Sequence, residues 1–227
     1  MEHLPWYVAA TFGITFLLAI WLFSKAMHYS KPFFIFLLVL IGIQSALGLS
    51  GFYNHVNTMS ARFPLLAFPL LAFCASLFFT RKGRAFIDSL DIKTLTIFHT
   101  IRILVELVLF WLFVQKAIPR AMTFEGRNFD ILSGLSASLV YYFGFVKQKL
   151  GISAMIIWNA ACILLLLNVV FSAALSLPAR FQHFGFEQPN IAVGYFPFLL
   201  LPAILVPLVL FANAAAIRQL ALRKNML

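Results

Sequence analysis

This 227-residue sequence has little charge: Asp, Glu, Lys and Arg make up 11% of it, and only seven residues are acidic. So few charged side chains cannot cover a soluble globule that is 63% hydrophobic and carries 27 phenylalanines, because one core of this length could not hide that much apolar surface. A soluble enzyme or soluble binding module is excluded. There are two cysteines, Cys74 and Cys162, both inside apolar stretches where a free thiol usually acts as a small packing residue. They form neither a disulfide framework nor a metal-type spacing. A phosphate-binding glycine loop, a Cys/His metal motif and a GxSxG elbow are all missing, and no cofactor is named. The chain also lacks long linkers, low-complexity segments and internal repeats, so it reads as one domain. The opening stretch, MEHLPWYVAATFGITFLLAIWLF, has no basic n-region and no small-residue cleavage site, and reads as a retained first helix.

What is present is a series of apolar runs near the ~20 residues that an α-helix needs to cross ~30 Å of hydrocarbon. The alternating pattern of a membrane β-barrel is absent. The expected architecture is an all-α integral membrane protein, a single bundle of seven transmembrane helices. The spans run from about Trp6 to Phe23, Pro32 to Phe52, Pro64 to Phe79, Leu95 to Val114, Ile131 to Val146, Ile152 to Leu175 and Ile191 to Asn213. With the N-terminus outside and the C-terminus cytoplasmic, the inner segments hold eleven lysines and arginines and the outer segments five. That bias is the one cytoplasmic loops carry. A basic inner rim facing anionic lipid headgroups accounts for the formal charge of +10 without nucleic acid as a partner. The stretch TRKGRAFIDSLDIK reads equally as a short interfacial helix or a solvated loop. Compact loops and the charge bias suggest a bacterial cytoplasmic membrane.

The run FHTIRILVELVLFW, residues 98–111, holds three ionisable side chains at membrane depth. In an α-helix His99, Arg102 and Glu106 fall at i, i+3 and i+7, on one stripe spread over ~10 Å. The fourteen Leu, Ile, Val and Phe residues between Leu95 and Val114 favour insertion by roughly 6 kcal/mol, and two central charges oppose it by roughly 5 to 7. Such a helix needs compensation, either from an Arg102–Glu106 ion pair or from polar groups on neighbouring helices. A purely structural ion pair is one reading. The functional reading is preferred, because Arg preceding Glu by four residues is the weaker order for a helical pair and intramembrane charges usually line a cavity. Arg102 would then hold an anionic or carbonyl-bearing ligand through its planar fork. Glu106, pulled one way by burial and the other by Arg102, could change protonation with occupancy, and His99 could relay a proton.

Gln44, Asn159, Asn168 and Asn213 are candidates for the same cavity, or simply bond across helices. Pro197, Pro202 and Pro207 predict a bent or broken last helix. In AMTFEGRNFDILSG, the residues Glu125, Arg127, Asn128 and Asp130 read as an outer rim, with Asp130 or Asn128 alternatively capping the fifth span. Ser133, Gly134, Ser136 and Ser138 suggest close helix packing. His55, Glu125, Asp130, His183 and Glu187 have no ligand spacing, so a metal site is not expected.

No lysine lies between Ile191 and Ile217 to carry a retinal Schiff base, and His28 falls beyond the first apolar run, which disfavours a paired-histidine haem site. The leading expectation is a small permease or proton-coupled carrier acting on a small molecule or ion. A membrane enzyme acting on a lipid or isoprenoid, and a receptor or subunit of a larger complex, are the alternatives. Oligomeric state is not readable from the sequence.

Overall fold

A computed structural model describes residues 4–54 and 56–224, with side chains described outside residues 56–60. Among the described residues the chain is helical, without strands. The helices are α1 (Trp6–Ala26), α2 (Lys31–Leu49), α3 (Val56–Phe79), α4 (Arg81–Ser89), α5 (Ile92–Phe98), α6 (Ile101–Val114), α7 (Ile131–Tyr141), α8 (Ile152–Ala174) and α9 (Val206–Lys224). Six stretches are long and apolar enough to cross a membrane: Trp6–Ala26, Lys31–Leu49, Ala61–Phe79, Ile92–Val114, Ile152–Ala174 and Leu201–Lys224, with Ile131–Val146 a shorter apolar helix. This is a helical membrane protein.

Periodicity sets what each helix buries. On α1, Val8, Phe12, Ala19 and Phe23 face inward, and Trp6, Ile14, Leu17 and Trp21 are exposed, as suits a surface whose solvent is lipid. Helix α9 is the centre of the bundle, packed against α3, α4, α5 and α8, with most of its residues buried. Its last turns are fastened to α4. Arg218 donates to both carboxylate oxygens of Asp88, and Gln219 Nε2 donates to the carbonyls of Ile87 and Leu90. The segment read equally as helix or loop is therefore helix over Arg81–Ser89, started by Thr80 Oγ1 accepting from the Gly83 amide at 3.0 Å.

The last helix is bounded differently from the expected span. The last span does not begin at Ile191. Residues 191–200 form turns that pack inside the bundle, with Val193, Phe198 and Leu199 buried, and the continuous helix starts at Leu201 and runs on to Lys224. Pro197 lies in those turns, and Pro202 and Pro207 sit in and just after a five-residue π-helical turn, Leu201–Leu205. Missing N–H donors are best tolerated near a helix start, so the prolines mark where α9 begins and do not bend its middle. Helix α3 instead holds Pro64 and Pro69 in its interior. The carbonyl freed by Pro69, that of Leu65 one turn back, accepts from Gln44 Nε2 at 3.0 Å.

The fourth span is broken. Between α5 and α6 the amides of His99, Thr100, Arg102 and Ile103 each bond a carbonyl three residues back, tightening the chain locally to a 3₁₀ turn. The interruption falls on the ionisable stripe itself. A further π-helical turn, Tyr142–Val146, continues α7.

Candidate functional site

His99, Arg102 and Glu106 are all interior, with 0%, 2% and 1% of their surface exposed. The stripe expected from spacing forms, and the tight turn at His99 keeps it in line with Arg102, since side chains at i and i+3 eclipse in a 3₁₀ turn. Of the two sources of compensation weighed, the Arg102–Glu106 pair does not form, and polar groups outside the helix supply the partners. Arg102 Nη1 donates to Asp130 Oδ1 at 2.6 Å and to the Cys162 carbonyl at 3.4 Å. Glu106 accepts instead from Asn128, whose Nδ2 lies 2.6 and 2.7 Å from its two carboxylate oxygens.

The residues read as an outer rim therefore divide. Glu125 and Arg127 stay exposed, the Arg127 guanidinium lying 5.1 Å over the Phe184 ring. Asn128 and Asp130 turn inward and are 0% and 4% exposed. The local chain dictates this. Asn128 Oδ1 accepts the Asp130 amide at 2.9 Å in an Asx turn, and its Nδ2 also reaches the Met122 carbonyl. A β-carbon on Gly126 would lie 2.1 Å from the Arg120 carbonyl oxygen, so only glycine lets the loop fold this tightly. Asp130 stands at the head of α7 without capping it through its side chain, and its carboxylate takes Arg102 and the Ser133 hydroxyl.

Close packing delivers Asp130 to Arg102. A β-carbon on Gly134 would meet Ile103 Cγ1 at 2.8 Å, so α7 lies directly on α6. Ser133 serves the carboxylate, Ser136 accepts Trp158 Nε1 at 2.9 Å, and Ser138 is exposed. The Trp158 ring stands edge-on to His99 at 5.6 Å, and neither ring nitrogen of His99 has a partner among the described residues.

Arg102, Glu106 and Asp130 line one wall of a cavity of about 40 Å³, room for roughly three waters. Its other walls are apolar: Leu109 of α6, Leu166 and Val169 of α8, and Leu201, Leu205 and Val206 around the π turn. Two Arg102 nitrogens, Nε and Nη2, have no acceptor among the described residues.

Of the candidate cavity residues, none of the four asparagines and glutamines lines this space. Gln44 also accepts the Tyr53 hydroxyl at 2.9 Å and is occupied in joining α2 to α3. Asn168 donates to the Arg127 carbonyl, pinning α8 to the inserted loop. Asn159 and Asn213 each donate to a carbonyl of their own helix, leaving buried Oδ1 atoms without partners among the described residues.

Among the described residues no three His, Cys, Asp or Glu side chains gather as a metal site would require. His55 lies outside the described residues. The signal that could have placed Asp130 beside Arg102 was charge balance, since a buried guanidinium needs an anion and only seven acidic residues exist to supply one.

No curated protein and no solved structure matches this chain. A family model described as a domain of unknown function, DUF8737, matches residues 63–221, a stretch that includes every residue of the Arg102 cavity, and the chain belongs to that family.

Proposed function

We propose that this protein is a small proton-coupled carrier with its site at Arg102, Glu106 and His99, in a bundle that crosses the membrane seven times. In this reading Ile131–Val146 is the seventh crossing, shorter than the others and accommodated by local thinning of the bilayer. The N-terminus is outside and the C-terminus cytoplasmic, as the lysine and arginine bias favours, and the membrane is a bacterial cytoplasmic one.

One observation carries the proposal. A buried arginine keeps two donors without acceptors among the described residues, beside a buried carboxylate, at a cavity in mid-bundle. A purely structural ion pair would use those donors, because a buried charged donor left unmade is costly. The chemistry divides between the two acids. Asp130 balances Arg102 permanently, whereas Glu106 is bound by the neutral Asn128 amide and is free to take or release a proton as the site fills. His99, one turn away, is a second proton-accepting group.

The cavity also sits between two irregular helix segments, the 3₁₀ turn at His99 and the π turn at Leu201–Leu205. Departures from α-helical hydrogen bonding of this kind suit a site that must open and close.

Reconstituted protein with an internal pH-sensitive dye, screened against small organic acids and amines, tests the reading. At least one compound is expected to drive proton flux that Glu106→Gln abolishes without changing the thermal unfolding curve. Equal flux in the variant, or no compound-dependent flux at all, defeats the carrier.

A further inference from the structure

The two arginine–carboxylate pairs among the described residues use different edges of the same group. Arg218 presents Nε and Nη2 side by side to Asp88, at 2.9 and 2.8 Å from its two carboxylate oxygens. Arg102 engages Asp130 and the Cys162 carbonyl through Nη1 alone, and its own Nε–Nη2 edge meets no acceptor among the described residues. That edge is the bidentate fork that matches a carboxylate. Arg102 lines the cavity and is 2% exposed.

A second cavity, of about 70 Å³, adjoins the first and shares Leu109, Val169, Leu201 and Val206 with it. Its remaining walls, including Phe63 and Met122, are apolar throughout. At about 10–15 Å³ for each water-sized group, the polar cavity holds roughly three such groups and the apolar one roughly five to seven. Three is the size of a carboxylate group, and a methylene is about the size of a water.

We propose that the ligand is a medium-chain monocarboxylate, its carboxylate on Nε and Nη2 of Arg102 and its hydrocarbon chain in the apolar cavity between α3, α8 and the start of α9. This rests on reading the Arg102–Glu106 cavity as a ligand site. It also fixes a stoichiometry. The groups around Glu106 that can carry charge are Arg102 and His99 from its own span, Asp130 from the head of α7 and Cys162 from α8. The α9 wall is aliphatic, and the described titratable groups of α1, Tyr7 and Lys25, sit near its two ends against Trp111 and Trp21. Arg102 and Asp130 cancel, so a ligand carboxylate beside an ionised Glu106 would leave two anions uncompensated. The loaded site therefore keeps one proton on Glu106, and that proton is taken up with the carboxylate wherever the empty site holds Glu106 ionised.

Isothermal titration of the protein in nanodiscs with sodium octanoate, corrected with empty nanodiscs, is the test. The expected result is saturable binding of one octanoate per chain, at least tenfold tighter than 1-octanol or acetate, with proton uptake, seen as a dependence of the heat on buffer ionisation enthalpy, that rises toward one per carboxylate as the pH is raised. Arg102→Lys weakens octanoate at least tenfold. Because that change also disturbs Asp130, Ala67→Phe gives an independent check. Ala67 lines the apolar cavity and not the one at Arg102, so the change fills the space for the chain, weakens octanoate at least tenfold and narrows its advantage over butyrate.

Octanol binding as tightly as octanoate, absence of saturable octanoate binding, or indifference to both substitutions overturns the proposal. The carrier reading fails separately. Octanoate that binds but does not cross proteoliposomes defeats transport and keeps the ligand class, while Glu106-dependent proton flux without octanoate binding does the reverse.

Discussion

Replacing Asp130 by asparagine removes the only carboxylate among the described residues that touches the Arg102 guanidinium and leaves a cation inside the bundle with a neutral neighbour. Breaking a buried pair from one side costs about 3–5 kcal/mol, because the surviving charge keeps its desolvation penalty and loses its partner. For a chain of this size each kcal/mol moves the unfolding midpoint by about 2–4 °C, so Asp130→Asn should lower Tm by about 6–20 °C in detergent. Replacing both partners, as Arg102→Met with Asp130→Leu, removes the stranded charge and should recover most of the loss.

The structure contains its own control. The Arg218–Asp88 pair makes two hydrogen bonds where Arg102–Asp130 makes one, but its side chains are 28% and 35% exposed, so Asp88→Asn should cost no more than about 1 kcal/mol. Differential scanning fluorimetry of the four proteins decides the matter. A double variant as unstable as Asp130→Asn, or an Asp88 variant equally affected, would refute the claim that desolvation separates the two pairs.

Other outcomes follow from single contacts. Gln44→Leu strands the Leu65 carbonyl and the Tyr53 hydroxyl and should cost about 1–3 kcal/mol. Adding Pro69→Ala restores an N–H for that carbonyl and should return part of the loss in the same melting assay. Gly134→Val drives a side chain into Ile103 and should cost about 1–3 kcal/mol, with loss of octanoate binding as Asp130 is displaced. At the loop before α5, partial burial pushes the Asp91 carboxyl up, but hydrogen bonds from the Thr94 hydroxyl and the Lys93 and Thr94 amides, with His28 nearby, hold it below the usual carboxylate range. A depressed pKa stabilises the fold at pH above about 4 and stops doing so as pH falls through the folded-state value. Unfolding midpoints measured from pH 6 to 3 should therefore fall more steeply in the parent protein than in Asp91→Asn.

Much of the helical plan was legible because long apolar runs have few other uses. Helix α1 starts at Trp6 and α8 ends at Ala174, within a residue of expectation. The start of the last helix was misplaced for a physical reason. Residues 191–200 are as apolar as a span, and hydropathy cannot tell a side chain that faces lipid from one packed beneath neighbouring helices, as Phe198 and Leu199 are. The same limit applied at the site. His99, Arg102 and Glu106 stood out by contrast with their apolar surroundings. Asn128 and Asp130 sat in a polar stretch with Glu125 and Arg127, set apart there only as possible helix caps, and the tight fold at Gly126 and the α6–α7 contact carry them inward.

The attachment of α9 to α4 has a mechanical consequence. A rod clamped at its base by Arg218 and Gln219, and irregular near its tip at Leu201–Leu205, can move chiefly by tilting about the clamp. The thirteen residue-to-residue steps from Leu205 to Arg218 make a lever about 20 Å long at about 1.5 Å each, so a tilt of about 6° displaces the cavity wall by about 2 Å. That is a large change for a space that holds only a few waters, and it leaves the far end of the rod almost where it was.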